Sequence, residues 1–277
     1  MAGENDAPEN RPTGYFVSIE CDEHGRRHDR GSTLGTGLGE QICAGESLDF
    51  GVAYTSSKYP TYAACHQLRD AWIADVSPDE VFDRCEAYFS ERGVTCSAWT
   101  PASSQSVEPV AALMARRGWH RLDMLALGLV GVGESSAHVA AESVRILPAR
   151  AMRRAYRNLL DIESNGDEAC IEAGVDRLDD ANFDCVIAQI DGVAVGRIAY
   201  FEVGDIGRLA DFHVLPSHRV SGAAEALIAH FLQTARRLSP RAVVACVDSG
   251  DIEDRMILER HGFAAAGELP RFVRNAD

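Results

Sequence analysis

No stretch of this sequence is apolar for long enough to cross a bilayer as a helix, so a membrane partner is not expected. Residues 1–12 have neither the basic opening nor the apolar stretch of an export signal, and the expected location is the cytoplasm. No CxxC pair occurs. The eight cysteines, at 21, 43, 65, 85, 96, 170, 185 and 246, are scattered, and several lie in apolar runs, as reduced core thiols do. Cys21, His24 and His28 lack a fourth ligand, so no metal is expected. Basic residues are in deficit, 27 against 42 acidic, and the net charge of −15 argues against a nucleic-acid partner, whose phosphates need neutralising. An acidic surface suits both solubility and the attraction of a cationic amine; charge alone does not choose between them.

What is present points to an α/β protein of more than one domain, since 277 residues exceed the usual size of one domain and 46% apolar residues suffice for sizeable cores. The most informative segment is 211–224, Asp-Phe-His-Val-Leu-Pro-Ser-His-Arg-Val-Ser-Gly-Ala-Ala. Before it, residues 208–214 alternate Ala210, Phe212 and Val214 on one face with Leu209, Asp211 and His213 on the other, as a half-buried strand does. After it, Ala224, Leu227, Ile228, Phe231, Leu232 and Ala235 recur at helical spacing. A strand that turns into a helix in this way presents the helix's free N–H groups and positive dipole end to an anion. Gly222 admits the anion closely, and Arg219 adds charged donors. Upstream, 185–190 and 193–201 read as a hairpin through Asp191-Gly192; downstream, 241–247 reads as a strand, followed by a helix that ends at Arg260-His261-Gly262-Phe263 and a last strand over 264–273.

The order Val214, Pro216, Arg219, Gly222, Ala224, with the helix ending in Gly262-Phe263, resembles the GNAT superfamily of acyl-CoA-dependent N-acetyltransferases. The resemblance covers residues 144–277 and implies a mixed, mostly antiparallel sheet flanked by helices, with acetyl-CoA as acyl donor and a primary amine of a small molecule, amino acid or peptide as acceptor. It implies that Phe212, Val214, Arg219, Val220, Ser221, Gly222, Ala223 and Ala224 hold the donor, largely through backbone atoms. His213 and Asp211 are the catalytic candidates, the imidazole as proton acceptor and the carboxylate as the group that holds the cationic amine and orients the imidazole. Glu202 is a weaker alternative. A solvated polar strand face is the competing reading of the same pair.

The N-terminal half echoes this theme. Residues 94–99 read as a strand, 107–117 as a helix ending at Gly118-Trp119, and 122–130 as a strand, but the stretch before them, 78–93, is one amphipathic helix without a phosphate loop. The expected organisation is a polar extension over 1–47, a degenerate, smaller GNAT-like domain over 48–130, a linker over 131–143 and the acetyltransferase domain over 144–277. Gly35, Gly37 and Gly39 of the extension read as a flexible loop.

One departure stands out. Where the family carries a tyrosine four residues before Gly-Phe and an asparagine seven residues earlier, this chain has Leu258 and Asp251, and a leucine cannot protonate a thiolate. Tyr200 and Tyr156, the remaining tyrosines of this half, do not match that position. A noncatalytic acyl-CoA-binding or protein-interaction module therefore stands beside the enzyme reading. The acceptor's identity and the number of subunits are beyond the sequence.

Overall fold

The computed structural model describes residues 42–73, 77–102, 107–130 and 143–274. The expected linker at 131–143 and the extension before residue 42 thus lie almost wholly outside the described residues. Among those described, no helix is long and apolar enough to cross a membrane.

The chain builds one mixed sheet of eleven strands. Its N-terminal half contributes β1 (Ala44–Leu48), β2 (Gly51–Thr55), β3 (Gln67–Ala71), α1 (Pro78–Glu91), β4 (Ala98–Pro101), α2 (Glu108–Arg116) and β5 (Trp119–Leu129). Its C-terminal half contributes β6 (Arg145–Pro148), α3 (Arg153–Ser164), α4 (Glu168–Asp176), β7 (Phe183–Ile190), β8 (Val193–Val203), β9 (Ile206–Val214), α5 (Ala223–Leu238), β10 (Ala242–Asp248), α6 (Ile252–Arg260) and β11 (Phe263–Arg274). All neighbouring strands are antiparallel except β3 with β4 and β9 with β10. The expected mixed, mostly antiparallel sheet flanked by helices is the one observed.

Local chemistry explains the elements that the sequence made visible. Asp191 and Gly192 both take positive φ, 49° and 85°, the geometry of the tight turn that joins β7 to β8. Ser77 accepts from Glu80 N at 3.2 Å and starts α1, with Pro78 in the first turn, where its missing N–H is no loss. Along β7, Val186 and Ala188 face α5, while Cys185 and Ile187 face α3 and α4, so helices cover both sides of the sheet.

The order of strands, β1-β2-β3-β4-β11-β5-β10-β9-β8-β7-β6, holds an exchange. The last strand of the N-terminal half, β5, lies against β10 of the C-terminal half, and the last strand of the chain, β11, lies against β4. β5 and β11 pair with each other from Phe263↔Leu129 to Arg274↔Trp119. Each half therefore lends apolar side chains to the other's core. Leu125 and Leu127 pack with Leu227, Ile228 and Val247, while Phe272 packs with Phe82, Trp99 and Trp119.

Neither half should unfold by itself. Leu127→Ala and Phe272→Ala are each expected to lower the unfolding free energy by roughly 2–5 kcal/mol, and both to shift one shared transition in urea followed by tryptophan fluorescence. Two separable transitions, or a soluble, monomeric fragment of residues 144–274, would show that the exchange does not couple the halves.

Candidate active site

The site begins where two parallel strands part. β9 and β10 pair from Ala242↔Ile206 to Ala245↔Leu209 and no further. Beyond that point β10 continues to Asp248 on β5 alone, and β9 continues to Val214 on β8 alone. A gap opens between residues 210–214 and 246–248. Its cause is a bulge. Between Arg197↔His213 and Ala199↔Ala210, β8 has one residue and β9 has two, Asp211 and Phe212. The extra residue bends β9, and Asp211 takes φ 51°, a left-handed conformation that costs a non-glycine residue about 1–2 kcal/mol. Gly196 permits the close approach of β8 beside it, because a Cβ there would meet the His213 carbonyl oxygen at 2.8 Å.

A chain of buried charges holds the bulge. Both carboxylate oxygens of Asp211 accept from Arg177 Nη1, at 2.8 and 2.7 Å, and Arg197 Nη1 approaches Oδ2 at 2.8 Å. The Asp211 side chain is 4% exposed and that of Arg177 0%. Arg197 also donates from Nε to Glu163 Oε2 at 3.0 Å and approaches it from Nη2 at 2.7 Å; Glu163 Oε1 in turn lies 3.9 Å from His213 Nε2. Burial works against the charge of Asp211, but the guanidiniums of Arg177 and Arg197 hold its carboxyl below the usual value. Burial lowers the His213 imidazole from its ordinary value and Arg197 and Arg219 lower it further, with Glu163 opposing, so the ring is neutral at pH 7.

This placement corrects the expected face of the strand. Simple alternation would put Asp211 and His213 side by side, but the bulge breaks it: Asp211 turns into the core, and His213 stays partly exposed. Its imidazole is reached from Asp211 only through Arg197 and Glu163. Asp211 is thus already engaged by two cations and does not reach an incoming amine. Glu163 and Arg197 went unnoticed in the sequence, although each leaves a trace there. Glu163 continues the buried stripe Tyr156, Leu159, Leu160 of α3 at helical spacing, and Arg197 is the lone charge in the apolar start of β8.

The loop that leaves the gap runs through a short helical turn, Pro216–His218, to Gly222, which takes φ 81° at the start of α5. Any side chain at 222 would be strained in that conformation. Ser221 Oγ donates to the His218 carbonyl oxygen at 2.6 Å and accepts from Ala223 N at 3.3 Å, which fixes the entry to the helix. Arg219 is half-exposed and paired with Glu253 of α6, Val220 is fully exposed, and Ala223 and Ala224 are buried against the core. Phe212 and Val214 pack against that core at the edge of the gap.

Across the gap, α6 carries neither a phenol nor a free amide. Leu258 is 0% exposed within the core, and the Asp251 carboxylate accepts from Asp254 N at 3.1 Å as the helix cap. Burial and the neighbouring Asp251 push the Asp254 carboxyl up to about 6, with Arg219 opposing. Tyr200 and Tyr156 are buried in the core, and neither hydroxyl has a partner among the described residues.

The N-terminal half has the same bulge without the gap. Asp70 takes φ 50° in β3, but there the extra residue is absorbed in the β3–β4 ladder. Pairing resumes at Ala71↔Pro101, and Ala102 N donates to the Ala71 carbonyl oxygen at 3.1 Å. The helix that follows carries Asp79 and Glu80 in its first turn, which repel an anion.

No curated protein sequence matches the chain significantly. In solved structures the fold is similar to a functionally unknown conserved protein from Staphylococcus epidermidis ATCC 12228, at 15% identity and TM-score 0.66, covering 86% of this chain and 96% of that one. It is also similar to a GCN5-related N-acetyltransferase from Kribbella flavida, at 15% identity and TM-score 0.58, covering 85% and 90%. A GCN5-related N-acetyltransferase-like protein from Streptococcus suis 89/1591 gives 12% identity and TM-score 0.55, again covering 85% and 90%. At such identities the likeness is one of fold. The model of the acetyltransferase (GNAT) family matches residues 150–263, the part of the chain that contains the gap, the bulge and the loop, and these residues carry a GNAT-family acetyltransferase domain.

Proposed function

We propose that the protein is an N-acetyltransferase that transfers an acetyl group from acetyl-CoA to a primary amine of a small molecule, amino acid or peptide. The observation that carries this reading is the parting of β9 from β10 immediately before a loop that ends at the N-terminus of α5. The donor would supply a thioester carbonyl already activated toward a nucleophile.

The chain's own groups have distinct tasks. The N–H groups at the start of α5 and the guanidinium of Arg219 would hold the pyrophosphate, with Val220, Ser221, Gly222, Ala223 and Ala224 offering backbone. The edge of β9 at Phe212 and Val214 would hold the pantetheine arm by its main chain. His213, neutral at pH 7, accepts the proton that the amine must lose at Nε2, and Glu163 at 3.9 Å favours the imidazolium that results. Asp211 serves by fixing the bulge through Arg177 and Arg197 and so positions His213, while Asp254, raised to about 6, is mostly ionised at pH 7 and takes up its proton only below neutral pH, on the helix where a phenol is missing.

The N-terminal domain, 48–130, is on this reading a degenerate repeat that binds no donor, and its closed β3–β4 ladder supports that assignment. A noncatalytic acyl-CoA-binding module is the second reading, favoured by Leu258. Incubation with acetyl-CoA and a panel of amines, with free thiol followed over time, separates the two.

Gly222→Asp puts a carboxylate beside the anion loop and a side chain where φ is positive; acetyl-CoA affinity is expected to fall by about tenfold or more. Calorimetry on a folded variant checks this, and the wild type should bind one equivalent per chain. His213→Ala should lower turnover by roughly 100-fold with donor affinity nearly intact. The wild-type rate should fall on the acid side as His213 takes up its proton, below the ordinary histidine value, and normal turnover in the variant would remove His213 from the mechanism.

Asp211→Asn leaves two buried guanidiniums short of charge and is expected to cost roughly 3–5 kcal/mol at pH 7. Because the folded carboxyl is depressed, this stabilisation is complete above the unfolded value near 3.8 and is lost as pH falls through the lower folded value. Urea unfolding of both proteins from pH 7 to pH 3 should show the difference shrink.

A further inference from the structure

The loop that joins β2 to β3 leaves the N-terminal sheet and lands on the helix that holds the bulge. Residues 56–66 are fixed from within: Tyr59 N donates to Ser56 Oγ at 3.3 Å, and His66, 2% exposed, donates from Nε2 to the carbonyl oxygens of Tyr59 and Pro60 at 3.1 and 3.2 Å. Ser97, just before β4, donates from N and Oγ to the His66 carbonyl oxygen at 2.8 and 2.9 Å, which ties the loop to the sheet. From this base the loop meets one face of α4, where Cys170, Ala173 and Asp176 follow at one-turn spacing. Cys170 Sγ donates to Tyr62 Oη at 3.8 Å, Ala173 packs with Tyr59 and Cys65, and Asp176 accepts from Tyr59 Oη and Lys58 Nζ.

The last of these contacts sits next to Arg177, whose Nη1 grips Asp211. Asp176 is the final residue of α4, where the negative end of the helix dipole repels a carboxylate. Unpaired, that charge would loosen the turn from which Arg177 reaches the bulge. Burial opposes the charge as well, but Lys58 and Tyr59 hold the carboxyl below its usual value. Of the two partners Tyr59 matters more: it is 6% exposed, whereas the Lys58 side chain is 67% exposed and its ion pair is worth little in water.

We propose that Tyr59 is a positioning residue for the site in the C-terminal half: by holding Asp176 it fixes Arg177, and through Arg177 the bulge at Asp211 that carries His213. A continuous set of contacts runs from the N-terminal sheet to the imidazole, Tyr59 to Asp176, Arg177 to Asp211, then Arg197 to Glu163 and His213. The half without a gap of its own supports the gap of the other. That this support serves acetyl transfer rests on the function proposed above; that it sets the surroundings of His213 does not.

The test reads His213 itself, by nuclear magnetic resonance of the full chain labelled at histidine, its signal being the one absent from His213→Ala. The charged groups facing the ring are Glu163, Arg197 and Arg219, and burial is the main cause of its lowered midpoint. Tyr59→Phe keeps the packing and removes only the hydroxyl; a looser bulge admits water, so the midpoint should rise toward the ordinary histidine value by about half a pH unit. Turnover should fall roughly tenfold with acetyl-CoA affinity unchanged. Asp176→Ala should move the midpoint the same way, though less, because the repelled charge leaves with the tether, and the double variant should match Asp176→Ala alone. Val110→Ala opens a cavity in the other core of the N-terminal half and destabilises the chain, but should leave the midpoint where it is. An unchanged midpoint in Tyr59→Phe or, if that variant does not fold, in Asp176→Ala would overturn the proposal, as would an equal shift in Val110→Ala. A wild type inert toward every amine would count against the function alone, since the imidazole titrates either way.

Discussion

Two guanidiniums closing on one buried carboxylate hold the C-terminal half in its working shape. Without Arg177 and Arg197, Asp211 would have to keep a strained backbone and a desolvated charge with nothing in return. With them, the extra residue of β9 becomes a fixed bend, the strand turns away from β10, and the loop to α5 starts from a defined direction. The same arginine that closes the cluster on one side, Arg197, carries it outward through Glu163 to His213. The contacts that set the strand geometry therefore also reach the imidazole, whose proton affinity burial lowers first.

The N-terminal half shows that a bulge alone is not enough. Asp70 has nearly the same backbone conformation as Asp211, yet β3 and β4 rejoin after it. What differs is the neighbour that absorbs the extra residue. When the parallel partner absorbs it, the ladder closes again; when the antiparallel partner does, the parallel ladder ends for good. Trp99, buried and stacked on Phe82 at 5.8 Å, then seals the closed half from one side.

Much of the fold was legible because it is written locally. The Asp191-Gly192 turn, the apolar stripe of α5 and the Gly262-Phe263 ending state their own geometry within a few residues. Pairing between distant strands is written nowhere in particular, so the exchange of β5 and β11 could not be read from periodicity. For the same reason the faces of Asp211 and His213 were misread: period two holds only while a strand stays regular, and no residue type marks a bulge when aspartate takes the left-handed position in place of glycine. Glu163 and Arg197 were findable as charges on apolar faces, but that they meet depends on α3 lying across β8.

The exchanged strands also bear on how such a chain can change over generations. A half whose strands leave no gap would ordinarily be free to change or be deleted. Here deletion would strip β10 of its neighbour and take Leu125 and Leu127 out of the surviving half's interior. The N-terminal half is thus tied to the other by folding, and substitutions along β5 act on the stability of a site that β5 does not form.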